Sequence, residues 1–133
     1  MARAADTGGV VDTDILVDAQ RGRADAKDFL TIQRFTSGLV ISVISAMELI
    51  VGCRNAVALE RVQQFLRHTR ILPMSEVASY IAYHLMQSFF LSHGLLLADA
   101  LIAATSLEYG GTLYTKNVRH FRMISGLRVI RPY

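Results

Sequence analysis

Leu39-Val40-Ile41-Ser42-Val43-Ile44-Ser45-Ala46-Met47-Glu48-Leu49-Ile50-Val51-Gly52 changes character midway. Residues 39–44 are dense in β-branched side chains and read as a buried strand. Ser45 then opens a helix to about Val51, which Gly52 stops. The same alternation extends in both directions. Upstream, a loose leader over residues 1–9 ends at Gly8-Gly9, and Val10-Val11-Asp12 is a short buried strand. Ile15, Leu16 and Ala19 share a helical face that closes at Gly22, and residues 25–35 form an amphipathic helix with Phe29, Leu30 and Ile32 turned inward. Downstream, Leu59, Val62, Phe65 and Leu66 mark a helix over residues 57–68, followed by a short strand at residues 70–74. Ser75 caps a helix that runs to His93 and stops at Gly94. A helix over residues 98–109 and strands at 112–115 and 127–130 complete the chain. Strands alternating with helices predict an α/β fold with a parallel sheet covered on both faces.

The 133 residues are the length of one domain, and a chain of this size buries roughly two-thirds of its unfolded surface. A hydrophobic fraction of 52% against 19% charged excludes disorder. The most apolar stretch, residues 94–104, is too short to span a membrane and contains Asp99. The start of the chain has no long apolar run, so no signal peptide is expected. The lone Cys53 excludes an internal disulfide, a zinc ribbon or a redox pair, and fits a reducing cytoplasm. The net charge of +3 is unevenly spread. Lys116, Arg119, Arg122, Arg128 and Arg131 occupy residues 115–133 without one acid, whereas Asp6, Asp12, Asp14, Asp18, Asp25 and Asp28 crowd the first thirty residues. A basic end of this kind fits a polyanionic partner or a solvated basic face.

Ligands of parallel α/β sheets gather at the carboxyl ends of the strands. Three acids in apolar surroundings fall near such ends: Asp12 after the first strand, Glu48 on the helix after the second, and Asp99 in Leu97-Ala98-Asp99-Ala100-Leu101. No basic residue lies within five positions of Glu48 or Asp99. Two carboxylates about 4 Å apart repel by roughly 4 kcal/mol at an effective dielectric of 20, and a hard divalent cation such as magnesium or manganese turns that repulsion into attraction. Each acid also has a purely structural use. Glu48 could close a capping box with Ser45, Asp99 could face a helix dipole, and Asp12-Thr13-Asp14 could be an ordinary turn.

Four blocks carry a resemblance. Val11-Asp12-Thr13-Asp14-Ile15-Leu16, then Ile41 through Leu49 with Gly52, then Leu97-Ala98-Asp99-Ala100-Leu101-Ile102-Ala103-Ala104-Thr105, then Leu113-Tyr114-Thr115-Lys116-Asn117-Val118-Arg119-His120-Phe121 resemble, in order and spacing, the signature blocks of PIN domains. The likeness is greatest to the VapC-type toxins of bacterial toxin–antitoxin pairs. It implies a three-layer α/β/α fold with a central, mainly parallel sheet and a magnesium-dependent ribonuclease that leaves a 5′-phosphate and a 3′-hydroxyl. It also implies a cognate antitoxin and a homodimer. The family's acids fall on Asp12, Glu48 and Asp99, as metal ligands. A fourth acid, frequent in the family's last block, is missing, since Asn117 and His120 stand there; Asn117 and Thr115 are the expected substitutes that orient a metal-bound water. Lys116, Arg119 and Arg122, with His120 beside them, are expected to hold RNA phosphates. Thr13 should line the same pocket.

Two other classes compete. A phospho-acceptor signalling domain would need an Asp after a middle strand, where Ser75-Glu76 stands instead. A catalytically inactive PIN domain acting as a binding module is the alternative that the missing fourth acid motivates. Phe89, Phe90, Leu91, Leu95 and Leu96 cluster around Gly94 and are either core or a surface for a partner.

Overall fold

The computed structural model describes residues 8–133. The elements run β1 (Val10–Val11), α1 (Thr13–Gln20), α2 (Ala24–Phe35), β2 (Val40–Ser42), α3 (Val43–Val51), α4 (Ala56–Leu66), β3 (Arg70–Leu72), α5 (Glu76–His93), α6 (Leu97–Glu108), β4 (Thr112–Tyr114), α7 (Val118–Phe121) and β5 (Arg128–Ile130). The five strands form one sheet in the order β3-β2-β1-β4-β5, and each adjacent pair is parallel.

Successive strand residues face opposite sides of the sheet, and the core divides accordingly. Val11 and Ile41 point to one side, where Ile15, Leu16, Leu30, Ala46, Leu49 and Val62 cover them. Val10, Val40 and Leu113 point to the other, under Ile102, Ala103, Phe121 and Ile124. A further layer of packing joins α5 to α6 through Ala78, Ala82, Leu95, Ala100 and Ala104. The expected α/β/α architecture is therefore present. Among the described residues no helix is long and apolar enough to cross a membrane.

Several expectations shift in detail. Helix α3 begins at Val43 rather than at Ser45, because the Ser42 hydroxyl, at the end of a strand only three residues long, accepts from the Ile44 N–H at 3.1 Å and caps the helix. Ser45 is instead buried in the first turn of α3. In α2 the inward stripe is Ala26, Leu30 and Gln33, so Ile32 stands 59% exposed and Gln33 takes the buried place expected of it. The short α7 was not expected from the sequence; it forms where Phe121 inserts into the core. The Ser75 cap and the Gly94 stop are both present. Ser75 Oγ accepts from the Ala78 N–H, and Gly94 adopts a φ of +65°. The apolar cluster around Gly94 splits: Leu95 is buried and Phe89 half-buried, while Phe90, Leu91 and Leu96 are exposed.

Of the expected leader, residues 1–7 lie outside the described residues, and Gly8 and Gly9 are buried. A Cβ on Gly9 would stand 2.7 Å from the Thr112 carbonyl oxygen and 2.8 Å from its Cγ2, so only glycine lets the chain enter β1 against β4. Gly9→Ala is expected to lower stability by about 1–3 kcal/mol, the scale of overpacking at a site that cannot relax. The urea midpoint should fall with an unchanged slope, and an unchanged midpoint would refute the close approach.

Candidate active site

The order β3-β2-β1-β4-β5 places the reversal of strand order between β1 and β4, the point at which an open parallel sheet leaves a crevice at its carboxyl edge. Asp12 follows β1 and Thr115 follows β4, so both fall in that crevice. Asp12 is 3% exposed. Its Oδ1 accepts from the Thr13 N–H at 2.7 Å and caps α1, and its Oδ2 accepts from Thr115 Oγ1 at 2.7 Å. Burial pushes the Asp12 carboxyl up to about 7, and the nearby charge of Asp14 adds to the rise; the Thr115 and Thr13 hydrogen bonds oppose it.

Asp14, two residues after Asp12, joins the same cluster of acids. Its Oδ1 accepts from the Ile15 N–H at 2.8 Å, and its Oδ2 accepts from the Lys116 N–H at 2.9 Å, so it closes the β1 and β4 loops on each other. A second aspartate two residues after Asp12, in the first turn of α1, was the available signal.

Glu48 is exposed on α3 and accepts from the Thr13 hydroxyl at 2.7 Å; the same hydroxyl lies 2.8 Å from Ser45 Oγ. The capping box weighed for Ser45 and Glu48 is absent, because Ser42 caps the helix and Glu48 reaches across to α1. Asp99 lies in the first turn of α6, with its Oδ2 3.2 Å from His120 Nδ1. Burial raises the Asp99 carboxyl above its ordinary value despite His120, and the charges of Glu48 and Asp14 add to the rise. Asn117 is exposed; its backbone N–H, not its side chain, binds the site, donating to Thr115 Oγ1 at 3.0 Å.

Asp12, Asp14, Glu48 and Asp99 thus share one electrostatic neighbourhood. Among the described residues none of the four pairs with a lysine or arginine. Oxygen donors whose mutual repulsion no lysine or arginine relieves are the chemistry that a hard divalent ion fits. The ligand set is not closed as it stands: among the described residues no three acid, histidine or cysteine side chains are grouped to hold an ion. Glu48 is engaged by Thr13 and Asp99 by His120, and both bonds are to groups that a metal can displace.

Beside the acids lies a cleft of about 850 Å³. Its lining includes Asp99, Asn117 and His120, the cations Lys116, Arg119, Arg122 and Arg131, and His93, Leu95 and Leu96. The expected basic residues therefore do come together. Lys116, however, places its ammonium 2.5 Å from Asp18 Oδ2, which also accepts from the Tyr133 hydroxyl at 2.7 Å. Lys116 and Tyr133 hold the Asp18 carboxyl below the usual carboxylate range.

The PIN domain family matches residues 9–126. Ribonuclease VapC10 of Mycobacterium tuberculosis (strain H37Rv) is 39% identical over 120 residues, which is 90% of this chain and 90% of that protein. Among solved structures, a toxin–antitoxin complex from Klebsiella pneumoniae superposes with a TM-score of 0.77 at 31% identity over 95% of this chain and 98% of that one. VapBC2 from Rickettsia felis, bound to a DNA fragment from its promoter, superposes with a TM-score of 0.74 at 24% identity over 91% and 96% of the two chains, a likeness of fold.

The raised Asp12 carboxyl makes stability pH-dependent with a definite sign. Between its ordinary value of 3.8 and about 7, the folded chain keeps a proton that the unfolded chain releases. Stability of the metal-free protein should therefore fall as pH rises through that window, by up to about 4 kcal/mol. Urea denaturation at about pH 5 and about pH 8 spans roughly two units of that window and should show a loss of about 3 kcal/mol. Asp12→Asn should flatten the profile, and magnesium should restore part of the stability lost at the higher pH.

Proposed function

This chain belongs to the PIN domain family and, within it, to the VapC ribonucleases, and from that premise we propose that it is a metal-dependent endoribonuclease, the toxin of a toxin–antitoxin pair. The observation that carries the reading is the buried Asp12 at the strand-order reversal, in a group of acids that, among the described residues, has no lysine or arginine partner, beside a cleft lined by cations. A negatively charged site on its own would repel RNA. A cationic cleft next to it supplies affinity for the phosphates on either side of the scissile bond.

In this reading Asp12 and Asp99, with Glu48, hold magnesium or manganese. An ion held by these residues would lower the pKa of a water and neutralise charge on the scissile phosphate. Thr115 holds Asp12 through its Oδ2 and leaves the remaining lone pairs of the carboxylate for the ion. Thr13 presents Glu48, which orients the attacking water or takes its proton. His120 holds Asp99 in the lining of the cleft, and Arg119 and Arg122 bind flanking phosphates. Asn117 lines the cleft, where its amide can orient a water. Hydrolysis in line leaves a 5′-phosphate and a 3′-hydroxyl. The protein works in the cytoplasm, where RNA and antitoxin are synthesised.

Asp99→Asn removes one of several repelling charges, so the variant should fold at least as stably as wild type. It should cleave RNA roughly 100-fold or more slowly, the scale of losing one electrostatic stabiliser of a transition state. Chelation of the wild type should have the same effect. Undiminished cleavage by folded Asp99→Asn would overturn the mechanism, whereas RNA binding without magnesium-dependent cleavage by the wild type would favour the inactive binding module.

The antitoxin and the homodimer rest on surface chemistry and on the toxin–antitoxin assembly among the structural relatives. Phe35, Val51 and Leu91 are each more than 80% exposed, with Met47, Ile50, Phe90 and Leu96 also standing out in solvent. Apolar exposure on this scale marks partner surfaces. An antitoxin arginine entering the acidic site would pair with a carboxylate. Sedimentation of the isolated protein at micromolar concentration should give a dimer; a clean monomer would remove the dimer from the proposal.

A further inference from the structure

Of the five basic residues between positions 115 and 133, sequence alone cannot say which reach the RNA cleft. The sheet can. Strand β5 pairs with β4 in parallel, with Arg128 opposite Thr112 and Ile130 opposite Tyr114. Arg128 therefore lies at the amino edge of the sheet. Arg131, one residue past the strand, emerges at the carboxyl edge, where Asp12 and Thr115 lie. Arg131 lines the cleft together with Arg119 and Arg122, and Arg128 does not. Among the described residues none of these three cleft arginines pairs with an acid, and the cleft's one acid, Asp99, faces His120. Arg131 makes a single long hydrogen bond, 3.4 Å from its Nη1 to the Lys116 carbonyl oxygen.

Lys116 is in the opposite position. Its ammonium is neutralised by Asp18, and the Tyr133 hydroxyl braces the same oxygen. The Tyr133 ring lies beneath the Arg23 guanidinium at 4.8 Å and 6.0 Å from the Lys116 ammonium, which closes the cluster. Arg23 Nη1 also lies 3.6 Å from Asp18 Oδ2, and to contact a phosphate Lys116 would have to give up the shorter of the two ion pairs at Asp18.

We propose that the cleft binds RNA phosphates through Arg119, Arg122 and Arg131, and that Lys116 is withheld from this set by Asp18. The proposal rests on the ribonuclease reading and assigns its substrate contacts. Each phosphate neutralised on a single strand adds about 0.7 to the slope of log affinity against log salt. That slope counts contacts and does not move when a merely structural group is removed.

The test is fluorescence anisotropy with a labelled single-stranded oligoribonucleotide in chelator, so that binding is read without cleavage. Arg131→Ala should lower the slope by about 0.7, which is about a 2.6-fold difference in affinity change between about 50 and 200 mM salt. Arg128→Ala, at an exposed residue on the other edge of the sheet, should leave the slope unchanged. Lys116→Met should also leave it unchanged, and Asp18→Asn should raise it by about 0.7 by releasing Lys116. Circular dichroism confirms the folding of each variant. Equal slopes for Arg131→Ala and Arg128→Ala would overturn the proposal, as would a loss in Lys116→Met matching that in Arg131→Ala. A wild type with no salt-dependent RNA binding would instead overturn the ribonuclease reading beneath it.

Discussion

The hydrogen bond from Thr115 Oγ1 to Asp12 Oδ2 joins residues 103 positions apart and fixes the centre of the molecule. It lies where β1 and β4 diverge, and it determines what the remaining elements must do. A carboxylate 3% exposed is costly unless its oxygens are satisfied. Thr13 and Thr115 satisfy them, and those bonds fix the start of α1 and the end of β4 relative to each other. Asp14 repeats the arrangement one step outward through the Lys116 N–H. The two central strands are therefore tied at their carboxyl ends by side chains as well as by the ladder between them. Strands of two and three residues supply few ladder bonds, so these ties matter more than they would in a longer sheet.

Local signals were legible wherever a single residue type decides a conformation. Ser75 and Gly94 bracket α5 as read, because a hydroxyl cap and a left-handed stop require no knowledge of the rest of the fold. The strands were legible from their β-branched runs, and Asp12, Glu48 and Asp99 from acids in apolar surroundings. Ser42 and Ser45 were not separable. Both hydroxyls sit among the same apolar neighbours, and only the length of β2 and β3 shows which one ends a strand. Ile32 was expected inside because hydropathy outweighed phase. Ala26 and Leu30 set the stripe that Gln33 continues.

The site's missing pieces have one cause in common. Asp14, Asp18, His120 and Arg131 acquire their roles from partners distant in the chain: Lys116, Tyr133, Asp99 and the rim of the cleft. A sequence shows that a residue is charged, but the register of β4 against β1 and β5 shows which charge it meets. The same holds for the apolar residues. Leu95 and Leu91 differ little in sequence, yet one packs with the alanines of α5 and α6 and the other is 95% exposed.

The separation of Asp12 from Thr115 also has a consequence for synthesis. Translation delivers Asp12 early, and its carboxyl remains hydrated and ordinarily acidic while α2 through α6 are made. The crevice cannot assemble until β4 has left the ribosome, and Arg131 takes its place only when β5 has followed. Contacts that span most of a chain form late and slowly. A chain whose last strands have not docked therefore carries Asp12, Glu48 and Asp99 without the crevice in which Thr115 meets Asp12.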